Sequence, residues 1–150
     1  MKQSKKKQDA IAVAPPWLPV SLTVLQSRAF AELSPHATKL LMDMASQLGP
    51  NARGNGDLAA TFSLMAARGW TSKASLEQAI AELIENNFIL VTRQGGRHKC
   101  SLYAICNYAL DCDLSKLDVR PGSFSKSDWT QGRRNLQEPP TKSSPAVWHP

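Results

Sequence analysis

The stretch of residues 65–89, MAARGWTSKASLEQAIAELIENNFI, decides the fold. Gly69 can take the left-handed conformation that ends one helix, while Thr71 and Ser72 are residue types that cap the start of another. The second helix is predicted to run from Lys73 to about Asn86. Apolar residues at helical spacing give it one buried side: Leu76, Ala79, Ile80, Leu83 and Ile84. Two helices joined by a short turn that contains a glycine are typical of a helix-turn-helix.

The residues before this stretch predict one long helix and two short ones. Ser34, followed by a proline, suits the N-cap of a long helix with a regular apolar side, and Gly49 ends it. A shorter helical turn is predicted over residues 27–33, and Thr61 caps the short helix that leads into the glycine turn. Residues 58–60 could form a short strand.

The residues after the stretch predict a β-hairpin. Two apolar, strand-like runs at residues 88–91 and 100–108 flank a polar turn that contains two adjacent glycines. We therefore predict a mainly α fold with a small β-hairpin, namely a winged helix-turn-helix with a three-helix core and a wing. The side chains expected to be buried together are Trp70, Leu76, Ile80, Leu83 and Phe88.

Prolines and charges divide the chain into three parts. Residues 1–19 are predicted to be a basic, proline-containing arm, and residues 20–110 the winged helix-turn-helix domain. Residues 111–150 contain half of the ten prolines and no apolar period, so we expect a mostly disordered tail.

The stretch quoted above resembles the DNA-binding core of bacterial winged helix-turn-helix regulators. It is also similar to small helix-turn-helix proteins carried by phages, plasmids and integrative elements. The glycine turn, the serine cap and the regular apolar side carry the resemblance, which covers about residues 20–110. Asn87 stands where a glycine is common, and asparagine also accepts left-handed angles. Since many functions share this fold, the resemblance supports DNA binding in general more strongly than it supports any particular biological role.

In a helix-turn-helix the start of the second helix lies against base edges in the major groove. The candidate DNA-binding residues of this recognition helix are Thr71, Ser72, Lys73, Ser75 and Gln78. Gln78 can pair with adenine, and Lys73 can reach guanine or a phosphate. Glu77 would accept a hydrogen bond from cytosine or repel the backbone, whereas Glu82 and Glu85 would point away from the groove. The alternative is an ordinary solvated face of an amphipathic helix.

The predicted turn of the hairpin is cationic. The candidate DNA-binding residues of this wing are Arg93, Arg97, His98 and Lys99, and no acidic residue lies between Thr92 and Lys99. Such a turn can lie along a phosphate backbone or place an arginine in a minor groove. The alternative is a charged turn that keeps the edge of a sheet soluble.

Composition excludes several classes of protein. The 150 residues contain 18 Lys+Arg and 12 Asp+Glu, for a net charge of +6 and a pI near 9.5, a range in which nucleic acid is a leading partner. No apolar run approaches the ~20 residues of a membrane span, and no apolar stretch follows the basic N-terminus as in a signal peptide. We therefore expect a cytoplasmic protein with no membrane partner.

No cofactor, metal or catalytic site is expected. His98, Cys100, Cys106 and Cys112 lack the C-x2-C pairs of a convincing zinc site. No glycine-rich phosphate loop, nucleophile elbow or compact His/carboxylate motif is present. The sequence therefore predicts neither an enzyme nor a small-molecule ligand.

The predicted function is sequence-selective binding of double-stranded DNA in transcription or replication control of a mobile element. Two alternatives stay open: a protein–protein interaction module on a winged-helix scaffold, and an accessory part of a replication initiator. A homodimer also stays open.

Overall fold

The structure, a computed structural model, describes residues 16–111 and Asp118. In this part of the chain the α-helices are α1 (Leu22–Leu25), α2 (Arg28–Ala31), α3 (Pro35–Ala45), α4 (Phe62–Ala66) and α5 (Lys73–Glu85), with a 3-10 helix at Pro50–Ala52. The strands are β1 (Leu58–Ala59), β2 (Ile89–Arg93) and β3 (Leu102–Ile105). The predictions for residues 1–15, and for the tail beyond Asp111 apart from Asp118, lie outside the described residues.

Helix α3 begins where the sequence predicts and is tied to α5 at its start. The Ser34 hydroxyl accepts a hydrogen bond from the amide of Ala37, as an N-cap does. The carboxylate of Glu82, on α5, accepts hydrogen bonds from the amide and the hydroxyl of Ser34 at 2.7 and 2.6 Å. The helix ends at Ala45, before the predicted end at Gly49, because the amides of Gln47 and Leu48 bond carbonyls three residues back.

The turn between α4 and α5 has the predicted chemistry. Gly69 has a φ of +89°, and the Trp70 amide donates to the carbonyl of Met65 at 3.1 Å, which closes α4. The hydroxyl of Ser72 accepts a hydrogen bond from the amide of Ser75 and so caps α5. These contacts confirm the predicted turn and the predicted start of the second helix.

Helix α5 buries its predicted apolar side in the core. The buried side chains of the helix are Leu76, Ala79 and Leu83, and the half-buried ones are Ile80 and Ile84. Trp70 and Phe88 are buried in the same cluster, so the predicted centre of the core is confirmed, with Ile80 at its edge. Asn87 follows the helix with a φ of +58°, the left-handed conformation that its sequence position predicts.

The predicted hairpin is part of a three-stranded antiparallel sheet of order β1-β3-β2. Leu58 pairs with Tyr103 and Ile89 pairs with Ile105, so β3 is the central strand. The sequence indicates a short strand near residue 58 but not its partner. The fold is therefore a mixed α/β structure in which β1 adds a third strand to the expected hairpin.

The loop before β1 is held by Asn55, which is fully buried. Its Nδ2 donates to the carbonyls of Ile105, Tyr108 and Ala109 at 3.0–3.2 Å, and its Oδ1 accepts from the Ile105 amide at 2.8 Å. The amide of Asp111 donates to the Asn55 carbonyl at 2.9 Å. Residue 111 is therefore still bonded to the folded domain, one residue past the predicted boundary at residue 110.

Candidate nucleic-acid interface

The outer face of α5 is a row of exposed side chains: Ala74, Gln78, Ala81 and Glu85. They follow one another at spacings of three and four residues, which places them on one side of the helix. Glu85 therefore shares the side of Gln78, which differs from the expectation that it points away from that side. Because both alanines end at Cβ, Gln78 is the longest side chain between Ala74 and Ala81 on this face. A flat surface can therefore approach α5 closely here and meet the amide group of Gln78.

The five residues predicted at the start of the recognition helix do not all lie on this face. Three of them are exposed at the helix start: Thr71, Ser72 and Lys73. The hydroxyl of Ser72 serves as the helix cap. Ser75 is half-buried and lies two turns before Glu82, on the side of α5 that contacts α3. Of the five predicted contact residues, Lys73 and Gln78 are therefore the two that are exposed and have long side chains.

Lys73 occupies a position that does not favour a cation. It is the first residue of α5, where the helix dipole is positive, and the first turn contains no acidic residue. Its Nζ lies 3.8 Å from Oε1 of Glu77, with the two side chains 72 and 65 % exposed. An exposed pair of this kind contributes only about 0–1 kcal/mol to stability. A positive helix end that also carries a lysine favours an anionic ligand.

The hairpin tip, residues 96–99, carries three of the four predicted wing residues. Gly96 and Lys99 bond each other through their backbones, with amide-to-carbonyl distances of 3.0 and 3.3 Å. This tight turn leaves Arg97, His98 and Lys99 exposed. The tip is therefore a small exposed surface that carries the cations Arg97 and Lys99 on a turn closed by two backbone hydrogen bonds.

Arg93 differs from the other predicted wing residues. It is half-buried, and its Nη2 donates to the carbonyl of Cys100 at 3.0 Å, so its guanidinium is bonded within the hairpin. The register shifts between Val91 and Arg93, and the extra residue, Thr92, is buried and donates its hydroxyl to the carbonyl of Gly56 at 2.6 Å. A bulge changes which residues face each side of a strand, so strand alternation could not predict this placement.

A cleft of about 470 Å³ lies between α5 and the hairpin. Lys73 and Glu77 line it from α5, and Lys99 lines it from the hairpin tip. Its deeper lining is apolar and consists of Leu76, Ile80 and Tyr103. Burial raises the pKa of the Tyr103 hydroxyl, which therefore stays neutral near pH 7. Lys73 of the predicted recognition helix and Lys99 of the predicted wing thus line the same cleft.

Asp118 lies at the base of the hairpin, a contact that the sequence did not predict. Its amide donates to the carbonyl of Thr92 at 2.8 Å, and its carboxylate accepts from the amide of Gln94 at 2.8 Å. A negative charge therefore lies beside the wing, although the segment between Thr92 and Lys99 contains none. No local pattern in the sequence connects residues 24 positions apart, so this contact had no sequence signal.

Asp43 ties the turn between α4 and α5 to α3. Its buried carboxylate accepts hydrogen bonds from Trp70 Nε1 at 2.8 Å, from Arg68 Nε at 3.2 Å and from Lys39 Nζ. Burial raises the pKa of Asp43, but the hydrogen bonds from Lys39, Trp70 and Arg68 outweigh it and hold the pKa below its usual value. Lys39 also lies 5.5 Å from the centre of the Trp70 ring. The cluster thereby sets where α5 begins relative to α3.

Within residues 16–111 and Asp118, no group of three or more His, Cys, Asp or Glu side chains is arranged to bind a metal ion. Among the described residues Cys100 and Cys106 form no disulfide, and Cys112 lies outside these residues. None of the described helices has both the length and the apolar character needed to cross a membrane.

No protein-family model, curated protein or solved structure matches the chain. The exposed surfaces that can contact a partner include the outer face of α5, with Lys73 at its start, and the hairpin tip.

Proposed function

We propose that the protein binds double-stranded DNA as a winged helix-turn-helix, with α5 in the major groove and the hairpin tip on the backbone or in the minor groove. The order α3, β1, α4, α5 and hairpin β2–β3 is compatible with this fold. One observation carries the proposal: the start of α5 and the hairpin tip border the same cleft, with Lys73 on one wall and Lys99 on the other. Simultaneous contact with a groove and the adjacent backbone requires such an arrangement.

Electrostatics supports an anionic partner for this surface. The chain carries a net charge of +6, and Arg97 and Lys99 are exposed at the hairpin tip. Lys73 adds a cation to the positive end of α5, where it opposes the helix dipole unless an anion is bound. Phosphate contacts by these three side chains would give affinity that does not depend on sequence.

Sequence selectivity comes from the outer face of α5. Gln78 can donate to and accept from the major-groove edge of adenine, a bidentate contact worth about 1–3 kcal/mol of discrimination. Ala74 and Ala81, on either side of it, allow close approach, and alanine methyl groups can contact the methyl group of thymine. This face therefore suits base readout better than phosphate binding.

The biological role that we propose is transcription or replication control of a mobile element, and it follows from the sequence resemblance. An interaction module is the second candidate, and the exposed apolar side chains of Leu22, Leu25 and Met42 favour it. Exposed apolar side chains can serve as contacts with another protein, and a second copy of the chain is one such partner. The two candidates differ in their response to DNA and to salt.

The experiment that tests the proposal is the selection of bound sequences from a pool of random duplex DNA. We expect the parent protein to enrich one motif that contains adenine, and Gln78→Ala to lose discrimination at that position by about 1–3 kcal/mol. Gln26→Ala is the matched control, because Gln26 is exposed between α1 and α2 and does not line the cleft. Failure of the parent protein to enrich any sequence would contradict selective DNA binding and favour the interaction module.

A further inference from the structure

Glu77 is the one acidic residue among the described residues that line the cleft. It lies beside the surface that the proposed function places against DNA, whose phosphates are negatively charged. Its carboxylate is 65 % exposed and lies 3.8 Å from Nζ of Lys73. A carboxylate at this place opposes the electrostatic attraction that Lys73 and Lys99 provide.

The stability of α5 does not require an acidic residue at position 77. The ion pair with Lys73 is exposed, and exposed pairs contribute little to stability. The lysine precedes the glutamate, which is the less favourable order for a helical pair at this spacing. Glu77 also lies beyond the first turn, where the helix dipole no longer favours an acidic residue strongly.

The position of Glu77 fits a role in base recognition. It precedes Gln78 on the outer face and follows Lys73 by one turn, so it lies between that face and the cleft. An ionised carboxylate only accepts hydrogen bonds, and phosphates also only accept, so the two cannot pair. In the major groove, the N4 amino group of cytosine is a hydrogen-bond donor that a carboxylate can accept from.

We propose that Glu77 is a specificity-determining residue that selects cytosine at one position and weakens binding to duplexes without it. This inference rests on the proposed binding of DNA by α5. When cytosine is present, its amino group donates to the Glu77 carboxylate, and Lys73 can turn to a phosphate. When another base stands there, the carboxylate lies unpaired beside the phosphates and repels them.

Two substitutions at position 77, assayed by selection from random duplex DNA, test the inference. Glu77→Gln keeps the shape but offers an amide, so the preferred base at one position should change from cytosine to adenine. Glu77→Ala should lose the cytosine preference by about tenfold or more and should bind duplexes without the motif more tightly than the parent protein does. Glu32→Gln is the matched control, because it makes the same charge change at an exposed residue that lies outside both α5 and the cleft. It should keep the parent motif.

The outcomes separate this inference from the proposed function. If the parent protein enriches a motif and both Glu77 variants enrich the same motif with unchanged affinity for other duplexes, then DNA binding stands and the role of Glu77 is overturned. If the parent protein enriches no motif, both proposals fall together. Thermal unfolding by circular dichroism should show all three variants folded like the parent, since residues 32 and 77 are exposed.

Discussion

Replacing Asp43 with alanine should destabilise the fold by about 2–4 kcal/mol. The largest part comes from Trp70, because its Nε1 donates to the Asp43 carboxylate at 2.8 Å and would be left buried without an acceptor. Leaving such a group unsatisfied costs about 1–3 kcal/mol. Lys39 and Arg68 are 46 and 49 % exposed, so solvent screens their ion pairs and each adds only about 0–1 kcal/mol.

Urea unfolding followed by far-ultraviolet circular dichroism measures this loss. In a double-mutant cycle, Trp70→Phe keeps an aromatic ring but removes the donor, so Asp43→Ala should cost about 1 kcal/mol less in that background. Glu32→Ala is the matched control, because it breaks the exposed pair with Arg28 and should hardly change the midpoint. A cost for Asp43→Ala no larger than that of Glu32→Ala, or strict additivity with Trp70→Phe, would refute the reasoning.

The contribution of Asp43 should also depend on pH in a defined direction. Burial raises the pKa of Asp43, but the hydrogen bonds from Lys39, Trp70 and Arg68 together lower it by more than burial raises it. The folded-state pKa therefore lies below the unfolded-state value. A carboxylate of this kind stabilises the fold above its unfolded-state pKa and loses that effect as the pH falls through its folded-state pKa. The difference in unfolding free energy between the parent protein and Asp43→Ala should be constant near pH 7 and shrink below about pH 4. A difference that grows on acidification would contradict this sign.

Four further substitutions test the packing by urea or thermal unfolding. Leu83→Ala removes a fully buried side chain of α5 and should cost about 2–5 kcal/mol. Asn55→Ala leaves buried backbone groups of the loop and β3 without partners and should cost about 2–4 kcal/mol, whereas a neutral effect would mean that the loop is held otherwise. Gly95→Ala should destabilise the hairpin because its Cβ would lie 2.6 Å from the Ser101 amide, while Gly96→Ala, with open space around it, should be tolerated. Equal effects at the two glycines would contradict the hairpin geometry.

Local chemistry explains why the helices were predictable from the sequence. Ser34, Ser72 and Gly69 act within one turn of their own positions, so capping and left-handed preferences identify the helix ends without knowledge of the fold. Leu76 and Leu83 mark the buried side of α5 through spacing alone. The start and the direction of the recognition helix follow from these positions.

Contacts between distant residues explain what the sequence could not predict. Asn55 bonds backbone groups about 50 residues away, and Asp118 bonds Gln94, so neither contact has a local pattern. The bulge at Thr92 redirects Arg93 into the hairpin, which removes it from the exposed cations of the wing. Whether Lys73, Gln78 and the hairpin tip contact DNA stays a prediction.

The most direct test of DNA binding is the dependence of affinity on salt concentration. Fluorescence anisotropy with a labelled duplex should show log K falling linearly with log[salt], by about 0.9 units per phosphate contact. Arg97→Ala/Lys99→Ala should weaken binding to all duplexes by a similar factor and flatten the slope by up to about two units. Arg28→Ala/Arg53→Ala makes the same charge change at exposed residues that do not line the cleft, and it should keep the parent slope. Binding that ignores salt, or a wing variant that matches the parent protein at every salt concentration, would contradict the proposed interface.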